Sequence, residues 1–459
     1  MINNYYAGTP SRKKKRNAMF YIRHIARILM GLLFIFSSYV KMVDPFGFSL
    51  KISEYFISFG LDFFTPMSMF CAFCALLAEA LIGWALLLNI QMKITSWLLL
   101  IFMLFFTLLT FWLAFATNIV NAINHIFKTN YEIFVVTDCG CFGDFIKLTN
   151  HQTFFKNVIF LLFTLIIFYQ RKNYEDQKWY YLSQWGPIIV VGLCSIFIMT
   201  YCLLHEPWHD FRPWKVGNFI AAETYSVAPE MDFVFQYKND STGQIKELTI
   251  DQLSEIADDS LANADLENNY SFISRREKMI SPGINARLAD FSITDNEEGR
   301  DIKNEVINAT DYHFLIFIRN LENLNERKLS KVKALINKCE EENIDFTILT
   351  STSPDIADNI KEELELDYDM YFCDATPMKT ALRNDPGVAL LKDGYVIDKW
   401  AFRDIPKFES FKEAFEKYDA KLQKYIKKNP PILPNGVNLV IEEEEAETEE
   451  TGEETETLE

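Results

Sequence analysis

Basic charge is in short supply in this chain: 45 Lys and Arg face 63 Asp and Glu, for a formal net charge of −18. That balance argues against nucleic acid as a partner, because phosphate binding needs a cationic surface. Much of the deficit is local. Residues 442–459 hold eleven Glu and no Lys or Arg, and removing those eleven charges from −18 leaves an ordinary −7. Such a low-complexity acidic stretch cannot bury a core and is expected to be disordered. Histidine is scarcer still, at six residues, and none sits beside the cysteine pairs considered below. Their spacing is also irregular for a four-ligand zinc site, so no metal is expected. Polar residues inside the apolar half are too few for a transport path, with only Glu79 and Lys41 in view.

What the chain does have is long apolar runs. A mean hydropathy near zero hides two unlike halves, one dense in Phe, Leu and Ile up to about residue 205 and one rich in charge beyond it. A spanning helix needs about 20 apolar residues, since each rises about 1.5 Å through a core of about 30 Å. Residues 25–43, 67–90, 94–116, 153–169 and 186–204 meet that requirement. The Lys and Arg between and before these spans fall eleven on one side and five (Lys41, Lys51, Lys128, Lys147 and Lys156) on the other. The positive-inside rule then places the N-terminus in the cytoplasm and everything after Leu204 outside. No small-residue cleavage site follows the first span, which Lys41 and Asp44 close, so it reads as a retained helix rather than a signal peptide. Between the first two spans, Phe48, Ile52, Tyr55, Phe56 and Phe59 recur at helical spacing. They mark either an amphipathic interfacial helix or a packed loop.

Eight cysteines carry most of the chemical information. Under this topology Cys139 and Cys141 share an outer loop, Thr137-Asp138-Cys139-Gly140-Cys141-Phe142-Gly143-Asp144, and Cys71 and Cys74 form a CxxC at the outer end of the second span. Disulfide chemistry is permitted on that side of a membrane. A Cys-Gly-Cys disulfide closes a very small ring, which Gly140 can accommodate, and its strain and exposure would make it exchange readily. Cys139 and Cys141 therefore read as a redox pair, a static disulfide, or two thiols that never meet. Cys71 and Cys74 read as packing residues of an Ala- and Leu-rich helix or as a second redox pair. Glu79, mid-span, is either a functional group or a neutral hydrogen-bonding residue between helices.

These residues also carry a resemblance. Arg27-Ile28-Leu29-Met30-Gly31, Phe34-Ile35-Phe36-Ser37 and Lys41-Met42-Val43-Asp44-Pro45 resemble the first helix of the DoxX/MauE superfamily. Glu79 with Gly83, and above all Asp138-Cys139-Gly140-Cys141-Phe142-Gly143, are similar to that family's other signatures. The resemblance implies a four-helix membrane bundle over about residues 20–170. Its MauE branch is linked to maturation of a periplasmic methylamine dehydrogenase through disulfide formation, and DoxX to a quinone-linked sulfur oxidoreductase. The whole arrangement resembles DoxX-type proteins of Bacteroides relatives, which implies a bacterial inner membrane.

Beyond the spans, Phe233-Val234-Phe235-Gln236-Tyr237 and Ile245-Lys246-Glu247-Leu248-Thr249-Ile250 flank Asn239-Asp240-Ser241-Thr242-Gly243, a hairpin signal within a β-rich spacer. From there strands at 313–318, 345–350, 370–373, 388–391 and 395–400 alternate with helices at about 329–339, 355–366, 377–383 and 406–424. That order is an α/β sandwich. It resembles the thioredoxin-like fold of the periplasmic TlpA type, with Pro386 at that fold's cis-proline position and Lys392-Asp393-Gly394 as its hairpin turn. Where thioredoxins carry CxxC, however, this chain reads Arg319-Asn320-Leu321-Glu322-Asn323. Cys339 and Cys373 fall at core positions. The domain is therefore expected to be redox-inert and to bind rather than react.

The expected organisation is a basic cytoplasmic segment (1–24), a DoxX/MauE-like membrane domain (25–170) and a cytoplasmic loop with a fifth helix (171–204). A periplasmic β-rich spacer (205–285), a thioredoxin-like domain without CxxC (286–428) and an acidic tail (429–459) complete it. The leading expectation is a thiol–disulfide or quinone-linked oxidoreductase of the inner membrane, with the lipid bilayer and periplasmic client proteins as partners. The alternative is a non-catalytic scaffold or receptor whose cysteines are structural.

Overall fold

The computed structural model describes residues 18–130, 136, 139–143, 145–146, 148–174, 181–281, 283–284, 286–295, 299–363, 368–408 and 410–433. The basic segment up to residue 17, Asp138, Asp144, the loop at 175–180 and the acidic tail lie outside the described residues. The chain falls into two compact units, one built mainly on the residues up to Arg212 and the other from Pro213 onward.

The first unit is helical: α1 (Ala18–Met42), α2 (Pro45–Ser58), α3 (Ser68–Leu88), α4 (Met92–Phe127), α5 (Asn150–Tyr169) and α6 (Tyr181–Leu204). All but α2 are long and apolar enough to cross a membrane. Sequence chemistry sets the helix ends. Asp44 accepts from the Gly47 N–H with Pro45 at the first helical position of α2, the favoured N-terminal arrangement. A reciprocal Thr149–Gln152 capping box starts α5. Asn89, at φ 56°, ends α3 in the left-handed conformation that Asn tolerates. The amphipathic stretch after α1 is a helix rather than a loop, and it turns Phe48 and Tyr55 inward. By contrast α4 runs eleven residues past the expected end at Ala116, to Phe127.

Polarity in this unit is arranged inside out. Ser37, Lys41, Glu79, Thr110, Thr153 and Asn157 are buried, whereas Phe105, Leu108, Phe155, Leu193 and Phe197 are exposed. That is the distribution of a lipid-embedded bundle, whose polar groups must find partners inside. Interior threonines return their hydroxyls to the preceding turn, as Thr107 does to the Met103 carbonyl and Thr110 to that of Phe106. Helices α1 and α3 touch backbone to backbone at Gly31 and Gly83. A Cβ on Gly83 would stand 2.9 Å from the Ile35 amide nitrogen, and one on Gly31 3.1 Å from that of Leu87. At the far end of α3 the Arg27 guanidinium donates to the terminal carbonyls of Leu86 and Leu87, where a cation also complements the helix dipole.

The second unit holds two sheets. After a short α7 (Ile220–Thr224), β1 (Glu230–Asn239) forms a hairpin with β2 (Ile245–Thr249) around the expected Asn239–Gly243 turn. Two further helices, α8 (Ile250–Asp258) and α9 (Ser260–Asn269), lead to a third antiparallel strand, β3 (Tyr270–Ser281), on the other side of β1. After α10 (Lys303–Ile307) come β4 (His313–Ile318), α11 (Glu326–Glu342), β5 (Asp345–Thr350), α12 (Pro354–Glu363), β6 (Met370–Phe372), α13 (Ala375–Ala381), β7 (Gly387–Lys392), β8 (Tyr395–Ala401) and α14 (Phe411–Lys428). This is the alternation read from the sequence. The sheet order is β6-β5-β4-β7-β8, with β6, β5 and β4 parallel and β7 and β8 antiparallel. Val332, Leu335, Ile336 and Cys339 form the buried stripe of α11, and Asp393 and Gly394, both at positive φ, make the β7–β8 turn. Trp214 packs on Phe291 and Phe317, and the Gly217 and Ile220 amides bond to β8 and its turn. Residues 214–220, ahead of the three-stranded sheet, therefore belong to the sandwich.

Gly83→Ala is expected to lower the thermal midpoint of the detergent-solubilised protein, at a cost of about 1–3 kcal/mol, because its Cβ meets fixed backbone. Gly186→Ala, where a Cβ meets nothing within 4 Å, should leave the midpoint unchanged.

Candidate functional site

The Cys139-Gly140-Cys141 segment is folded onto the helices rather than held away from them. Gly140, at φ 61°, makes the bend, and the Gly143 amide closes a turn on the Gly140 carbonyl at 3.1 Å. The carbonyls of both cysteines are tied down: the Tyr55 hydroxyl of α2 donates to Cys139 at 2.7 Å and the Ser37 hydroxyl of α1 to Cys141 at 3.0 Å. Their sulfurs, not joined in the structure, lie 2.6 Å apart, within reach of a disulfide. The exposure expected of this loop is not found. Cys139 is buried in a cluster with Tyr55, Leu113 and Val136, against which the half-buried Cys141 packs.

The two cysteines border a small, open pocket. Its walls are Phe34, Phe102, Phe106 and Phe160, and its polar groups are Lys41, Glu79, Lys156 and Asn157. Lys41 and Glu79 pair at 2.5 Å with side-chain exposures of 4% and 6%. Burial on that scale is tolerated only where each charge answers the other. Lys41 also faces the Phe48 ring at 5.2 Å. The Lys156 ammonium lies over Phe142 at 4.5 Å and near Phe160 at 5.9 Å, and Asn157 donates to the Thr110 hydroxyl at 3.2 Å.

This setting divides the two thiols. The Cys139 thiol donates to Cys141, which lowers the Cys141 pKa to about 6. Burial opposes that shift, the Lys156 and Lys41 charges add to it, and Glu79 subtracts. Cys139, as the donor beside a developing thiolate and buried as well, is pushed far above the usual thiol range. One thiolate stabilised by one retained thiol is the resting form of a nucleophilic pair.

Of the residues singled out by sequence, Cys139, Cys141 and Glu79 meet at this cavity, and Cys71 and Cys74 do not line it. Cys74 is exposed on the side of α3 away from the buried stripe of Ala72, Leu76, Glu79 and Gly83, and Cys71 is half-buried. Glu79 thus belongs with the loop pair, although it is nearer to Cys74 in sequence. Sequence reasoning noted Lys41 as a polar residue of the apolar half without pairing it with Glu79, counted Lys156 only as an outer-side charge, and gave no site role to Ser37, Tyr55 or Asn157. The available signal was a polar side chain inside an otherwise apolar helix, which Lys156 and Asn157 both supply.

In the second unit, the Arg319–Asn323 stretch after β4 holds no cysteine, and its Arg319 amide donates to Asp385 at 2.9 Å. Cys339 and Cys373 are fully buried, and burial pushes each thiol up to about 12.

Residues 19–170, about a third of the chain, match the family model described as methylamine utilisation protein MauE. No curated protein and no solved structure matches the chain.

Lys41→Met leaves Glu79 buried without its counter-charge and is expected to cost about 3–5 kcal/mol, whereas the double replacement Lys41→Met with Glu79→Leu should be close to neutral. Unfolding of the single and double variants in the same detergent measures both terms. Equal loss from the single and double changes would show that the cost does not come from leaving Glu79 without its counter-charge.

Proposed function

We propose that the helical unit is a membrane thiol–disulfide redox centre in which Cys139 and Cys141 are the exchanging pair. The observation that carries this reading is the placement of two cysteine sulfurs 2.6 Å apart on a pocket that Lys41, Glu79 and Lys156 also line. In the oxidising half-reaction the Cys141 thiolate and the Cys139 thiol form the S–S bond, and the Cys139 proton leaves. Two electrons pass to an acceptor of the quinone class, which takes up two protons to become the quinol. Such an acceptor has a flat, conjugated and largely apolar ring, which suits walls of Phe34, Phe102, Phe106 and Phe160. In the second half-reaction a client dithiol attacks the disulfide, leaves oxidised, and restores both thiols.

The match of residues 19–170 to MauE supports the membrane part of this reading. Nothing among the site's residues selects methylamine. The placement of the N-terminus in the cytoplasm rests on the distribution of Lys and Arg. Two of the five outer lysines, Lys41 and Lys156, line the cavity, so the asymmetry left in the loops is larger than the raw count. The α/β unit, thioredoxin-like by strand order and hairpin turn, is the client-binding module on the periplasmic side. Its buried cysteines and cysteine-free Arg319–Asn323 stretch fit binding without exchange.

A second reading, a scaffold with structural cysteines, draws on the burial of Cys139. Differential thiol labelling of cells with mass spectrometry separates the two. A redox centre shows Cys139 and Cys141 as a mixture of dithiol and disulfide that shifts when the respiratory chain is blocked, and Cys139→Ser leaves Cys141 able to trap a client as a mixed disulfide. A pair locked in one state under every condition, with no adduct, leaves the scaffold.

A further inference from the structure

We propose that Lys156 is the positioning residue of the dithiol: its ammonium, held over the Phe142 ring on the pocket that Cys141 lines, keeps that sulfur in the anionic form from which it attacks. This rests on the redox reading of the same site.

The placement of Lys156 follows from α5. Thr153, Lys156, Asn157 and Phe160 recur at helical spacing, so they share one face, and three of the four line the cavity. The capping box at Thr149 fixes where that face begins. Phe142, the residue after Cys141, offers its ring to the Lys156 ammonium at 4.5 Å, and Phe160 borders it at 5.9 Å. A ring face attracts an ammonium without neutralising it, so the charge stays available to a neighbouring anion.

The other charged and titratable groups around the pair leave that task to Lys156. From α1, Lys41 is engaged by Glu79 of α3 at 2.5 Å, so together they contribute little net charge. From α2, Lys51 borders Gly140 but pairs with Glu54 at 2.9 Å, and Tyr55 donates to the Cys139 carbonyl. Asp138 and Asp144 flank the pair in sequence, outside the described residues. Lys156 is in no carboxylate pair among the described residues. It is the largest charge contribution lowering Cys141 and also acts on Cys139.

The consequence extends to the disulfide. When the S–S bond forms, the anion that answers Lys156 disappears, so the cation favours the reduced pair and makes the disulfide more oxidising.

The test uses full-length protein in lipid nanodiscs, reduced beforehand, with iodoacetamide labelling of Cys141 followed by mass spectrometry from pH 4.5 to 10. In the wild type, labelling is slow below about pH 6, where the proton stays on Cys141, and reaches its plateau above it. Lys156→Gln is expected to move the midpoint up by at least one pH unit, slowing labelling at pH 6 about fivefold, because only the thiolate reacts. Lys156→Arg keeps the charge and should restore the wild-type profile. At pH 7 the Gln variant's disulfide should also become less oxidising by up to about 30 mV, the equivalent of a tenfold loss of thiolate stabilisation. A packing role alone would move neither quantity. A Gln profile that coincides with wild type, or an Arg variant displaced as far as Gln, overturns the proposal. If the Gln chain does not fold, Lys156→Met removes the charge while keeping the apolar length of the side chain. An upward displacement then supports the proposal and an unchanged midpoint overturns it. Because labelling starts from reduced protein and needs no turnover, its failure would leave the in-cell redox test standing. Likewise, a pair that never cycles in cells would leave the titration intact.

Discussion

A lysine and a glutamate buried inside a bundle with an apolar outer surface constrain everything around them. Lys41 and Glu79 are almost wholly buried, and an uncompensated charge there would cost several kcal/mol. The pairing therefore fixes how α1 lies against α3. The Gly31–Gly83 contact lets the two backbones close on each other, and Arg27 ties α1 to the carbonyl end of α3. With those three points set, Lys41 reaches Glu79 at the level where the cysteine loop folds in. The site is a product of helix packing and not only of the loop that carries the cysteines.

The loop itself contributes a pair of sulfurs whose proton is unevenly held. Tyr55 and Ser37 bind the two carbonyls, Gly140 supplies the bend, and Phe142 anchors the segment against Phe36. Backbone positions fixed in this way hold the two sulfurs together without relying on a covalent bond.

Much of this was legible in the sequence, for physical reasons that differ by element. The five spans were visible because a lipid core imposes a length and a hydropathy on a helix. The α/β alternation from β4 to α14 was visible because buried parallel strands and amphipathic helices have distinct periods. The end of α4 was misjudged because hydropathy reports the match to lipid, whereas the helix continues through Asn118, Asn121 and Asn124 to Phe127. Strand β3 escaped notice because its side chains are almost all exposed and it carries Arg275, Arg276, Glu277 and Lys278 in succession, so no buried face marks it. Cys139 and Cys141, two residues apart, were readable as a pair from adjacency alone. The partnership of Lys41 with Glu79, 38 residues apart, depends on helix packing that no local pattern encodes, and the same holds for Lys156.

The central claim is that Cys139 and Cys141 form one two-electron centre whose reduced form is a thiolate beside a thiol. Equilibrium redox titration of the full-length protein in thiol–disulfide buffers, read by mass spectrometry and repeated across pH, tests it most directly. A single two-electron transition confined to Cys139 and Cys141 is expected. Its midpoint should fall by about 59 mV per pH unit below about pH 6, where two protons leave, and by about 30 mV per unit above it, where only the Cys139 proton leaves. A disulfide that forms instead with Cys71 or Cys74, or a slope with no break near pH 6, would contradict it.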